Sequence, residues 1–193
     1  MRRHKKTEKA RVFFALCAFS AIFCPLNPSC KQEESVTRAF QDYYPDETSY
    51  CYGCGRLNEQ GLRIKSYWDG DESVCVYTPR PYHSALPGFV YGGLLASLID
   101  CHSTGTAAAA MYRAAGRAMD TQPAFRFVTA SLHVDYLKPT PLGVPLKVRG
   151  VVKEIKGRKV VVSATISAQG IVCVRGEVVA VQVPEGMIKS GLQ

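Results

Sequence analysis

Residues Pro87 to Ala110 read PGFVYGGLLASLIDCHSTGTAAAA, and Asp100 is the single formal charge among them. From Gly92 to Tyr112 the pattern predicts one helix of about six turns. A helix at a protein surface carries a polar face. This one is apolar or small all round, so it belongs inside something. A carboxylate buried in such a helix is costly unless it is paired or hydrogen-bonded. Asp100 is therefore either a group kept for chemistry or a carboxylate merely capped by nearby Ser97, Ser103 and Thr104.

Strand-like runs flank the helix on both sides. Leu62 to Trp68 alternates apolar and polar residues, and Asp69-Gly70-Asp71 is a turn signal, so Ser73 to Thr78 should pair back as a hairpin. Pro79 to Gly88 holds three prolines and reads as irregular. Gly116 is the expected helix stop. Four further runs follow: Arg126 to Leu137, Val144 to Lys156, Arg158 to Ala168 and Ile171 to Val183. In the first of these, Ala130, Leu132, Val134 and Tyr136 share one face; Ser131, His133 and Asp135 share the other. Tight turns at Lys156-Gly157-Arg158 and Ala168-Gln169-Gly170 make the last three an antiparallel meander. Two strands, one long helix and four strands give an α+β chain. A curved six-stranded sheet wrapped around the helix would bury it on most sides. The side that the sheet cannot reach, lined by small residues, invites a second subunit.

The chain has 193 residues and a formal charge of +8. Met1 to Arg11 holds six Lys/Arg against one Glu, so this stretch carries +5 and the remainder about +3. That balance, with no basic or aromatic-interleaved stripe in the body, argues against a nucleic-acid partner. The apolar run Val12 to Phe23 follows the basic stretch, with the proportions of a secretory signal. It is short for a membrane span. Cys24 or Cys30 is a candidate lipid anchor, although the residues before each fit a lipoprotein cleavage pattern poorly. Any membrane contact is expected only through this segment.

Eight cysteines are scattered along the chain. Cys51 and Cys54 form one C-x-x-C in a turn-rich loop. A structural zinc site would want a second pair, or histidine at metal spacing. Neither is present, so the loop reads as structural or as part of a substrate entrance, and no metal is expected. Cys75, Cys101 and Cys173 sit in apolar runs and read as small core residues. His102 lies two residues from Asp100, about 200° around the helix, and reads as a core histidine with a backbone partner.

Four segments together resemble the hotdog-fold acyl-CoA thioesterases, in their phenylacetate-pathway (PaaI-like) branch. They are CYGCGRLNEQGL from Cys51, PGFVYGGLLASLIDCHSTGTA from Pro87, VTASLHVDYLKPTPLG from Val128 and KEIKGRKVVVSATI from Lys153. The resemblance implies a sheet wrapped around a central helix, with two subunits joining sheets to build the active sites. With the resemblance running from about Cys51 to Val183, the chain reads as a targeting-like segment and linker over 1–34, a lead-in over 35–50, a hotdog thioesterase domain over 51–185 and a tail over 186–193. The family commonly has His-Gly-Gly at the helix start, where this chain has Tyr91-Gly92-Gly93. Asp100 matches the family's acid, and Thr129 matches a hydroxyl residue that sits across from it.

Thioester hydrolysis by such residues needs no cofactor. The free amides of Gly92 and Gly93 at a helix N-terminus would form an oxyanion hole. Asp100 would activate water or attack directly. Thr129 would hold the water or the acid. Tyr91, His83 in the preceding loop and Ser97 one turn before Asp100 are candidate substrate contacts; for His83 and Ser97, a loop histidine and a helix-packing hydroxyl are the plainer readings. Gly92 and Asp100 lie about 12 Å apart along one helix, whereas donor and base must converge within about 3 Å of the reacting atoms. If both are catalytic, an antiparallel partner helix must supply one of them, in a homodimer or a dimer of dimers. The expected activity is acyl-CoA hydrolysis in the cytoplasm, with export or tethering through residues 1–30 as the alternative location. The competing function is a non-catalytic acyl-ligand-binding protein, suggested by Tyr91. A hydratase would want an Asp/His pair placed for proton transfer to carbon, and no such pair is evident.

Overall fold

A computed structural model describes residues 38–184. The targeting-like segment over 1–34 and the tail over 186–193 lie outside the described residues. The elements are β1 (Ser66–Asp69), β2 (Glu72–Tyr77), α1 (Gly92–Ala114), β3 (Phe127–Tyr136), β4 (Leu146–Lys156), β5 (Lys159–Ala168) and β6 (Ile171–Gln182). Short 3-10 turns at Phe40–Tyr43, Asp46–Thr48 and Pro81–His83 precede the helix. All strand pairs are antiparallel, in the order β1-β2-β4-β5-β6-β3. Six strands around one helix make the hotdog fold that the resemblance implied. No helix among the described residues is long and apolar enough to cross a membrane.

The turns fall where their chemistry put them. Asp69 pairs with Glu72 around Gly70, whose φ is +65°. Gln169 and Gly170 both have positive φ, 51° and 79°, the conformation whose twist matches a two-residue hairpin. Gly116 (φ +61°) ends α1: its N–H donates to Arg113 O at 3.1 Å, and Arg117 N–H donates to Tyr112 O at 2.9 Å. This pair of bonds satisfies the last carbonyls of the helix.

The helix lies in a trough of small residues. Ser73, Gly150, Ala164, Gly176 and Val134 form one rung across β2, β4, β5, β6 and β3. A Cβ on Gly176 would come within 2.6 Å of Ile99 Cγ2, and one on Gly150 within 3.0 Å of His102 Nε2. Large side chains on this rung would push α1 off the sheet. Leu98 and Ile99 are fully buried here, each worth roughly 1.5–3 kcal/mol of burial. His102, also fully buried, bonds Ser66 Oγ through Nδ1 and Ser73 Oγ through Nε2, both at 2.9 Å. Its partners are therefore side-chain hydroxyls of β1 and β2, not the backbone group expected. Burial pushes its pKa down to about 4. The lead-in also reaches the core: Gln41 is buried, and its Oε1 accepts the Ser66 N–H at 2.8 Å.

Candidate active site

Along α1, the positions not fully covered are Gly92, Gly93, Ala96, Ser97, Asp100, Thr104 and Met111, before the exposed last turn. Their spacing of three or four residues marks one face, the side that the sheet leaves uncovered. Asp100 is half-buried rather than enclosed, because it lies on this face. The capping expected from its neighbours does not occur at the carboxylate. Thr104 Oγ1 donates instead to the Asp100 backbone carbonyl at 3.1 Å, and Ser97 Oγ to Gly93 O at 2.9 Å. The partner of the carboxylate is Thr129, whose hydroxyl donates to Asp100 Oδ1.

A β-bulge makes that contact possible. The register slips between Thr129 and Ser131, leaving Ala130 unmatched on β6. Strict alternation would put Thr129 on the face opposite Val134 and Tyr136. The extra residue reverses the parity, so Thr129 meets Asp100 while Val134 packs on the core and Tyr136 Oη donates to Gly92 O at 2.9 Å. β3 thus touches the helix at both Gly92 and Asp100.

At the helix start, Tyr91 N–H donates to His83 O and Val90 N–H to Thr140 O, both at 2.9 Å. Leu94 and Leu95 N–H both donate to Tyr91 O. The Gly92 and Gly93 amides have no partner among the described residues, which is what an oxyanion site at a helix N-terminus requires. The Tyr91 ring folds over Gly93, where any Cβ would collide with it. His83 Nδ1 accepts the Arg80 N–H at 3.1 Å, and the imidazole packs edge-on against Tyr82. Burial, then the Arg80 charge, lowers its pKa.

The expected site residues fall into separate cavities within one chain. Asp100 and Thr129 line one of about 570 Å³. His83, Tyr91, Gly93 and Ser97 meet in a second of about 390 Å³, and Gly92 borders a third of about 300 Å³ beside Tyr136. Asp100 and the Gly-Gly amides therefore do not converge in a single protomer. The Asp100 cavity also holds Tyr44 and Arg126, which the sequence did not mark, together with Cys51 and Cys54 of the loop read as structural or as a substrate entrance, and Cys101. Arg126 stacks over the Tyr44 ring at 4.7 Å. Its position immediately before β3, three residues from Thr129, was the available signal. Cys101 is buried as expected of a core residue, yet its sulfur turns to the C-x-x-C loop, 3.6 Å from Cys51 Sγ.

A sheet curled around one helix, with a carboxylate and hydroxyl pair at mid-helix and two free amides at its start, defines a hotdog protein of the thioesterase type. The thioesterase superfamily profile matches residues 87–175. A thioesterase superfamily protein from Shewanella loihica has 48% identity to this chain, covering 73% of this chain and 100% of its own, with a TM-score of 0.56. The chain belongs to the thioesterase superfamily. The acyl-coenzyme A thioesterase THEM4 of Xenopus laevis is 41% identical over 93 residues, 48% of this chain and 36% of that protein. This match thus spans little more than a third of the relative's length. The E. coli PaaI protein from the phenylacetic acid degradation operon shares the fold at 17% identity, covering 64% of this chain and 81% of its own, with a TM-score of 0.52.

Proposed function

We propose that the protein hydrolyses acyl-CoA thioesters in active sites shared between two subunits. The observation that carries this reading is the Thr129–Asp100 pair in a cavity separate from the free Gly92 and Gly93 amides. An antiparallel partner would bring its own helix start to this Asp100. The outer edge of β3 is unpaired among the described residues, and Val128, Leu132 and Tyr136 on that strand are exposed. An open strand edge with apolar side chains is a template for pairing, so two β3 edges would join the sheets. The uncovered helix faces would then meet across the interface.

In the resulting site the two glycine amides polarise the thioester carbonyl and stabilise the developing oxyanion. The Asp100 carboxylate, oriented by Thr129, activates water or attacks the carbonyl carbon. Either route releases the free acid and coenzyme A thiol. Tyr91 and His83 border the acyl or pantetheine path, with Ser97 lining the same cavity. Coenzyme A esters are cytoplasmic metabolites, which favours the cytoplasm as the place of action. Cell fractionation of the full-length chain tests that location, and recovery outside the cytoplasm would overturn it.

The competing reading is a non-catalytic acyl-ligand binder. It is favoured by the Tyr91 ring, which covers Gly93 where the family commonly has histidine at the preceding position. Free-thiol release from a panel of straight-chain and aromatic acyl-CoAs separates the two readings. Hydrolysis supports the enzyme; saturable binding without thiol release supports the binder.

A further inference from the structure

We infer that Cys51, Cys54 and Cys101 form a site for a thiolate-preferring divalent metal ion of the zinc class, clamping the C-x-x-C loop to α1 beside Asp100. The three sulfurs lie within 4.8 Å of one another, with Cys51 and Cys101 Sγ 3.6 Å apart. Zinc bound by thiolates at about 2.3 Å in a tetrahedron needs sulfurs about 3.8 Å apart. The sequence argument against a metal was the missing second pair. Folding supplies the third sulfur from α1, 50 residues beyond Cys51.

The loop is shaped around the sulfurs. Gly55 N–H donates to Cys51 O at 2.8 Å, Leu62 N–H to Tyr52 O at 2.7 Å and Ile64 N–H to Gly53 O at 3.1 Å. A Cβ on Gly53 would strike the Cys101 sulfur, so only glycine lets the loop backbone approach it. Cysteine binds such a metal as the thiolate, so uptake releases protons. The three cysteines line the same cavity as Asp100, Tyr44 and Arg126. Asp100 itself is engaged by Thr129 and lies outside the sulfur triad, so the fourth donor of a tetrahedral ion would be water or another small ligand. This inference does not depend on the acyl-CoA reading.

The test uses the reduced full-length chain carrying Cys17→Ser, Cys24→Ser and Cys30→Ser, titrated with cobalt(II) and back-titrated with zinc. The expected result is one cobalt per chain, with thiolate-to-cobalt charge-transfer and tetrahedral ligand-field absorption that zinc abolishes. Cys51→Ser should weaken binding by roughly a hundredfold, by analogy with the loss of a ligand-shell group, while Cys173→Ala leaves it intact. Should a serine variant fail to fold, alkylation of Cys51 in the parent chain supplies the readout: zinc should slow it at least about tenfold, since a metal-bound thiolate is not free to react. No cobalt band, a band indifferent to Cys51→Ser, or alkylation indifferent to zinc would overturn the site. So would a disulfide among the three cysteines that leaves no metal uptake after reduction.

Discussion

The Thr129 hydroxyl donates to the Asp100 carboxylate across 29 residues of chain, joining the edge strand to the middle of the central helix. The contact engages one carboxylate oxygen of a residue that lines the cavity, which leaves the second oxygen without a protein partner among the described residues for a base's or nucleophile's work. Because Asp100 is only half-buried, its removal should spare the fold. Asp100→Asn is expected to lower acyl-CoA hydrolysis by roughly a hundredfold or more, within the range general-base catalysis supplies. Thiol release and circular dichroism on one preparation check this; normal turnover by a folded variant defeats the assignment.

Thr129→Val keeps the shape of the side chain and removes its donor. A hydrogen bond to a charged group is worth about 1.5–3 kcal/mol, which corresponds to a loss of roughly ten- to a hundredfold in kcat. Thr129→Ser should restore most of the rate. Equal activity in the valine and serine variants would mean that the hydroxyl does not position the acid.

The helix, the hairpins and the meander were legible because their signals are local: an uninterrupted small and apolar run, turn residues at fixed offsets, and period-two alternation. Asp100 was legible as the one charge in that run. The bulge at Ala130 was not, since nothing local in VTASLHVDY marks where the register slips against β6. For the same reason the Thr129 contact came from resemblance rather than alternation. The sulfur triad was hidden for a different reason. Cys101 looks like a core residue until the fold lays the C-x-x-C loop over it.

Gly176 tests the trough beneath the helix. Gly176→Ala places a methyl group against Ile99 Cγ2 and should cost about 1–3 kcal/mol, the usual range for overpacking. Urea unfolding measures it. Combined with Ile99→Ala, the cost of the pair should be less than the sum of the single changes, because the smaller side chain vacates the space. Strict additivity would show that the helix does not depend on this close approach.

His102 makes stability depend on pH. Its folded pKa is lowered from 6.5 to about 4, mainly by burial. The unfolded chain therefore takes up a proton near pH 6.5 that the native state refuses until about pH 4. The contribution is fully present above pH 6.5 and is lost as pH falls through that window, at most on the order of 3 kcal/mol. His102→Gln should flatten the slope between pH 6.5 and 4 in urea unfolding, apart from what the carboxylates contribute. An unchanged slope would assign the acid sensitivity elsewhere.

Assembly is the most demanding prediction, because it follows from distance alone. Gly92 and Asp100 lie about 12 Å apart along a single helix and open into different cavities, so a lone protomer cannot bring donor and base to one thioester. The protein should sediment as a dimer or a dimer of dimers. A chain carrying Asp100→Asn retains a sound helix start. One carrying Gly93→Val, whose added atoms drive the Tyr91 ring out of place, retains a sound acid. Each homodimer should be nearly inactive. Mixing the two chains, with unfolding and refolding to exchange subunits, should return roughly a quarter of the parent activity: half of the dimers are hybrids, and each hybrid has one intact site of two, as closed two-fold symmetry requires. A fully active monomer, or mixtures no more active than their parts while hybrids form, would refute a site shared between subunits.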